Sequence, residues 1–272
     1  MTQYDRPIES QFKHIELEIN TVCNTNCFGC DRFSDIASKG VPAMTVDQVA
    51  FFVEESLSLK WEWERIRLLG GEPTLHKDFV ELVNLIIGYR DKYPNCFLQI
   101  LTNGIGEKPK EYREWLESNN VSLHAEAKEK GVTPEWFHNT RIVQLDRDPN
   151  CGEVPPCGIY GIRGCGIGLT NAGYFLDGAG ASVARVAGYD IGIMRLADVT
   201  HEAMIEQSKI LCRVCGHWNP DGHLVTEKVT KTGEVTGPFW TERLAAYKKE
   251  KPILKVYGRY NPTPTSFPLK VV

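Results

Sequence analysis

No stretch of the sequence approaches about 18 consecutive apolar residues, which excludes an ordinary transmembrane helix. Basic surplus is missing too. Lys and Arg total 31 against 35 Asp and Glu, a formal net charge of −4. A nucleic-acid-binding chain usually carries the opposite imbalance. The opening Met1-Thr2-Gln3-Tyr4-Asp5-Arg6-Pro7 lacks an apolar h-region, so no secretory signal is expected and a cytoplasmic setting is inferred. Neither an internal repeat nor a low-complexity tract is present. The 272 residues are 42% hydrophobic, 24% charged and 10% aromatic, a globular composition that excludes wholesale disorder. The length suits one large domain, or one with a small appendage. Nine cysteines are the informative number. Where disulfides are disfavoured, clustered thiols point to metal binding or catalysis.

Hydrophobic patterning predicts alternating strands and helices. His14–Ile19 alternates apolar and polar residues and reads as a strand, leading into a loop with Cys23, Cys27 and Cys30. Residues 45–59 have a helical period, and Thr45 with Gln48 forms a capping box at their start. Arg65–Leu69 reads as a second strand ending in Gly70-Gly71-Glu72-Pro73, and Asp78 then caps a helix with a broad apolar face. Phe97–Leu101 is a third strand, ending in Thr102-Asn103-Gly104. A helix over residues 111–117 and strands over 121–124 and 141–145 follow. Such alternation with short connections implies a parallel sheet with right-handed crossovers. A complete eight-stranded barrel takes about 250 residues against about 145 here, so the fold class expected is α/β, a partial (β/α) barrel.

The composition changes near residue 149. Residues 151–192 are glycine-rich and show no helical period; Leu169–Phe175 reads as a hairpin with Asn171-Ala172-Gly173 at its turn. A helix near 202–210 leads into Cys212-Arg213-Val214-Cys215, followed by a strand pair near 228–235 and a helix near 241–249. The expected organisation is a core over 1–149, a second thiol region over 150–220, and a C-terminal strand and helix segment over 221–272 that packs on the core.

Cys23, Cys27 and Cys30 have C-x3-C-x2-C spacing directly after the first strand. Three soft thiolates within eight residues suit one face of an iron–sulfur cubane, leaving one iron open to a chelating small molecule. Zinc is the alternative, but its structural sites generally take four ligands in two pairs. The motif, with Gly70-Gly71-Glu72-Pro73 after the second strand and Thr102-Asn103-Gly104 after the third, resembles the radical S-adenosylmethionine (SAM) superfamily over roughly residues 12–146. An aromatic residue often precedes that family's third cysteine; here Gly29 does, with Phe28 one earlier. The resemblance implies a [4Fe–4S] cluster on Cys23, Cys27 and Cys30, with SAM on the open iron. The Gly70-Gly71 backbone and the Glu72 carboxylate would receive the methionyl ammonium, Asn103 would lie near the ribose or carboxylate, and Ser122 would contact SAM. It further implies a reductant such as flavodoxin or ferredoxin, and a 5′-deoxyadenosyl radical that takes a hydrogen atom from the substrate.

Cys151, Cys157, Cys165, Cys212 and Cys215 crowd the second region. Cys212 and Cys215 have metal-knuckle spacing, and their arrangement around a hairpin resembles the SPASM/twitch extension of radical SAM enzymes. That resemblance implies an auxiliary [4Fe–4S] cluster. Its fourth ligand stays open: Cys157 beside Cys165, Cys212 and Cys215, or Asp177, which stands where a cysteine commonly follows the hairpin. Cys151 is then spare, and zinc or unligated burial are the other readings of this region. Cys96 reads as a packed small hydrophobe.

His124, Glu126 and Lys128 follow the fourth strand and are candidates to bind a polar substrate. Arg163, Arg185 and Arg195 are candidates to clamp an anion, although surface positions are expected for most of them. The function expected is a radical SAM enzyme of oxidoreductase or epimerase type acting on a small polar metabolite. Dehydrogenation would use the auxiliary cluster as electron acceptor; epimerisation would use Cys151 as hydrogen-atom donor. No recognition domain precedes residue 12, which favours a small-molecule substrate over the peptide of a radical SAM maturase. No nucleic acid or membrane partner is expected. A non-enzymatic iron–sulfur or zinc protein is the third reading, and it leaves the two motifs at successive strand ends unexplained.

Overall fold

The computed structural model describes residues 12–25, 27, 30–125, 166–216 and 238–259. Their strands form one six-stranded sheet in the order β4-β3-β2-β1-β5-β6. The strands are β1 (His14–Asn20), β2 (Arg65–Gly70), β3 (Phe97–Thr102), β4 (Ser122–Ala125), β5 (Ile167–Thr170) and β6 (Gly173–Phe175). All neighbours pair in parallel except β5 and β6, which form an antiparallel hairpin at one edge. The helices are α1 (Ser34–Ala37), α2 (Val46–Ser58), α3 (Phe79–Arg90), α4 (Lys108–Ser118), α5 (Gly178–Ala187), α6 (His201–Leu211) and α7 (Pro238–Lys249). This is the mixed α/β class expected. The fifth strand expected at 141–145 and the strand pair near 228–235 lie outside the described residues.

The register sorts the sheet into two chemically distinct faces. Ile15, Ile66 and Leu98 align across β1, β2 and β3, as do Leu17, Leu68 and Ile100, and Ile167 and Leu169 extend both rows into β5. These residues are almost fully buried and share one core with Val49 and Phe52 of α2 and Phe79, Leu82 and Ile86 of α3. The opposite face is polar. Glu16, Arg67, Gln99 and Ser122 align in one row across β1, β2, β3 and β4. Period-2 alternation along each strand produces both faces, and a one-residue slip would exchange them.

Local chemistry accounts for the helix ends. The Thr45 hydroxyl accepts from the Gln48 N–H at 3.2 Å, and the Gln48 side chain accepts from the Thr45 N–H at 2.8 Å, completing the expected capping box of α2. The expectation that helical order disappears over 151–192 is corrected by α5. Its sequence, GAGASVARVA, is buried along its whole length and has glycine at two of its first three positions, a poor helix former that makes the segment read as a loop. Asp177 caps its start by accepting from the Gly180 N–H at 2.5 Å, and Gly188 ends it in the left-handed conformation with φ 79°. β5 pairs directly with β1, so the chain beyond residue 165 completes the sheet begun at residue 14.

Candidate active site

Parallel α/β sheets present functional groups at the carboxyl ends of their strands, where the loops are freed from the ladder. The three sequence motifs fall there, after β1, β2 and β3, and they are bonded to one another. Past the end of β1, the Gly71 N–H donates to Asn20 O at 2.9 Å and the Glu72 N–H to Val22 O at 2.7 Å. The Asn20 side-chain amide donates to Glu72 O at 3.1 Å. A Cβ on Gly71 would sit 2.2 Å from Val22 O, and one on Gly70 2.2 Å from Asn20 O. Both glycines are thus required by close approach of the chain leading into the thiol loop.

Glu72 is fully buried. Its Oε1 accepts from the Thr74 N–H at 3.1 Å, the Thr74 hydroxyl at 2.6 Å and the Thr102 hydroxyl at 2.8 Å; its Oε2 accepts from the Asn103 N–H at 2.8 Å. The carboxylate therefore clamps the loops after β2 and β3 together. Four donors nearly fill its acceptor capacity, leaving one direction on Oε2. Asn103 extends the link to the thiol loop. Its amide donates to Asn24 Oδ1 at 2.7 Å and lies 3.6 Å from Cys23 Sγ, while Asn24 Nδ2 donates to Ile105 O at 2.7 Å. Thr25, Asn24 and Thr74 were not singled out from sequence, because short polar residues in loops are common turn chemistry.

Cys23, Cys27 and Cys30 form no disulfide and are partly exposed. The Thr25 hydroxyl lies 3.0 Å from Cys23 Sγ and 3.6 Å from Cys27 Sγ, and the Cys30 N–H donates to Cys27 O at 3.2 Å. Among the described residues, no three Cys, His, Asp or Glu side chains converge as ligands of a single ion. Ligands of a cubane bind separate irons and need not converge on one point. Three soft, accessible thiols on one loop therefore fit an iron–sulfur cluster better than a lone zinc ion.

Other candidates lie elsewhere. Ser122 opens β4, opposite Gln99, four residues below Asn103 and so about 13 Å down the strand direction. His124 shares the polar face with Ser122 and is exposed. Of the candidate arginines, Arg185 is buried and bonded to Glu18. Arg195 is half-exposed and bonds Glu55 at 2.7 Å. Cys212 caps the C-terminus of α6, and Cys215 donates its N–H to Leu211 O at 3.1 Å, so the pair shares one tight turn. Asp177 serves as the N-cap of α5. Burial pushes the Cys96 thiol up to about 12, so it stays an unionised packed group. Glu126, Lys128, Cys151, Cys157, Arg163 and Cys165 lie outside the described residues. A cavity of about 770 Å³ opens at the opposite, amino-terminal end of β1 and β2, between Phe12, Leu59, Trp61 and Val199. No described helix is long and apolar enough to cross a membrane.

The chain is similar to several known proteins. A 29% identical relative, a probable GTP 3′,8-cyclase of Thermoplasma volcanium, aligns over 126 residues, 45% of this chain and 35% of that protein. The GTP 3′,8-cyclase of Haemophilus influenzae is also 29% identical, over 147 residues, 52% of this chain and 40% of that protein. The alignments thus span 35–40% of the length of these curated relatives. Among solved structures, BtrN in complex with AdoMet and 2-DOIA is similar with a TM-score of 0.44 and 18% identity, covering 76% of this chain and 88% of that one. The family model described as the radical SAM superfamily matches residues 17–128, the stretch holding the thiol loop and both partner loops.

Proposed function

We propose that the chain is a radical SAM enzyme that uses Cys23, Cys27 and Cys30 to hold a [4Fe–4S] cluster and acts by hydrogen-atom abstraction on a small polar metabolite. The observation that carries this reading is the bonded junction of the three strand ends, in which Asn103 touches both Asn24 and Cys23 while its own N–H is held by Glu72. When bound, the cluster supplies the electron that splits the sulfonium of SAM, and the 5′-deoxyadenosyl group so released takes the hydrogen atom.

The chain's own groups orient and enclose. Glu72 fixes the relative height of the loops after β2 and β3, and its remaining Oε2 direction accepts from the methionyl ammonium. The Gly70-Gly71 backbone keeps the entry to the thiol loop close against β2. Exposed His124, on the polar face of β4, is placed to meet a polar substrate. Cys212 and Cys215, paired on one turn, supply half of an auxiliary cluster site that Cys157 and Cys165 complete, and Cys151 is the candidate hydrogen-atom donor for epimerisation. A cluster held there would supply an acceptor for the substrate's second electron, as net dehydrogenation requires.

Anaerobic reconstitution tests both sites. Two cubanes correspond to about eight irons per chain, and changing Cys23, Cys27 and Cys30 together to Ala leaves about half of that. Iron unchanged in the triple variant overturns the ligand assignment. The relatives are named for action on GTP, so GTP belongs in the substrate panel. Transfer of deuterium from a labelled substrate into 5′-deoxyadenosine identifies the metabolite.

A further inference from the structure

The exit of the thiol loop is strained and held from outside the matched superfamily segment. Phe33, three residues after Cys30, is buried with φ 56°, a left-handed conformation that a bulky side chain adopts only under constraint. The constraint falls on the peptide joining Arg32 to Phe33. Its N–H donates to Cys30 O at 3.1 Å. Its carbonyl accepts from Arg185 Nη2, on α5, at 2.8 Å. A guanidinium on the carbonyl polarises the same peptide's N–H toward Cys30, since hydrogen bonds in series strengthen one another.

Arg185 also pairs with Glu18 on the polar face of β1. Beside it, Glu16 takes Arg32 at 2.6 Å and Arg67 at 2.6 Å. Asp31, about one-third exposed, also lies 3.7 Å from Arg32, so three guanidinium groups face three carboxylates here, and Arg185 is the cation that bonds the backbone at the exit of the thiol loop. A cluster on three thiolates becomes more negative when it accepts an electron, so a positive charge nearby favours the reduced form.

Resting on the radical SAM reading above, we infer that Arg185 is a positioning residue for the thiol-loop cluster: through the Arg32–Phe33 peptide it fixes the exit of the loop at Cys30 and raises the cluster's reduction potential.

The test is a redox titration of the reconstituted protein followed by EPR, using the signal that responds to added SAM. Arg185 reaches Cys30 across two residues of chain, roughly 10 Å, so removing its charge lowers the reduced-to-oxidised ratio at fixed potential about tenfold, or about 59 mV for a one-electron couple. Arg185→Met moves the midpoint to more negative values. Glu18→Gln moves it to more positive values, because it removes the opposing charge. The double variant, which replaces the pair by neutral side chains, returns toward wild type. A merely structural role would shift both single variants in the same direction. Arg195→Met strips a guanidinium from the buried Glu55 on the other face and leaves the midpoint unchanged. Should Arg185→Met fold poorly, the positive shift of Glu18→Gln still decides the matter. Single variants with the wild-type midpoint, or with shifts of one sign, overturn the inference and leave the radical SAM reading standing. A wild-type protein without a SAM-responsive signal removes that reading itself.

Discussion

Replacing Gly71 by Ala probes the junction of the strand ends with a single methyl group. The added Cβ would lie 2.2 Å from Val22 O, 2.5 Å from Val22 C and 2.6 Å from Thr21 O. All three are backbone atoms, so no flexible side chain can swing aside. Relief requires the backbone before Cys23 to move, which strains or breaks the bond from the Glu72 N–H to Val22 O at 2.7 Å. Overpacking of this kind costs about 1–3 kcal/mol, and a lost backbone hydrogen bond adds about 1 kcal/mol. At about 2–4 °C per kcal/mol for a chain of this size, the unfolding midpoint falls by roughly 4–16 °C. Gly88→Ala is the matched control. Gly88 lies in α3, and its added Cβ would meet nothing within 4 Å. There the better helix former stabilises by about 0.5–1 kcal/mol. Differential scanning calorimetry measures both variants, and iron content after reconstitution reports the state of the thiol loop. The prediction is a lower midpoint and reduced iron for Gly71→Ala, with a raised midpoint and full iron for Gly88→Ala. Gly71→Ala matching wild type in both measurements would refute the reasoning, because the junction would then be loose enough to absorb the methyl group.

Thr102→Val keeps the side-chain shape but removes a donor to Glu72 Oε1; urea denaturation is expected to show a loss of about 1–3 kcal/mol from the under-bonded buried carboxylate. Asp177→Ala removes the cap of α5 and costs about 1 kcal/mol in the same assay, while iron per chain stays at the wild-type value if the auxiliary ligands are all cysteine. His76 links the loop after β2 to Met44 O at 2.9 Å, and burial lowers its pKa below the usual 6.5. The native state therefore favours the neutral ring. Its contribution is complete above pH 6.5 and is lost as pH falls from there through the depressed value. Urea midpoints between pH 8 and pH 5 should fall less steeply for His76→Gln than for wild type. His14, lowered by burial and by Arg65, keeps a residual slope.

The first half of the fold was legible because its strands and helices obey simple periods. β1 alternates residue by residue, α2 opens with a capping box, and α3 carries a broad apolar face. The three loops of the site were legible as motifs after strands. Their joining was not, since the bond of Asn24 to Asn103 spans 79 residues and depends on the sheet order. Glu72 was visible as a site residue, yet its role as a clamp emerges only when Thr102 and Asn103 are brought beside it. α5 was missed because its glycines and other small residues mimic a loop. Arg185 reads as a surface cation until the packing of α5 against β1 brings Glu18 to it. β5 was expected only as half of a hairpin, because four residues cannot announce which strand they will join.

The central claim is tested most directly by incubating the anaerobically reconstituted protein with SAM and dithionite and measuring 5′-deoxyadenosine by liquid chromatography. The account predicts steady production by wild type and none by the variant with Cys23, Cys27 and Cys30 changed to Ala. A wild-type protein that is loaded with iron but yields no 5′-deoxyadenosine, or a triple variant that still yields it, contradicts the account.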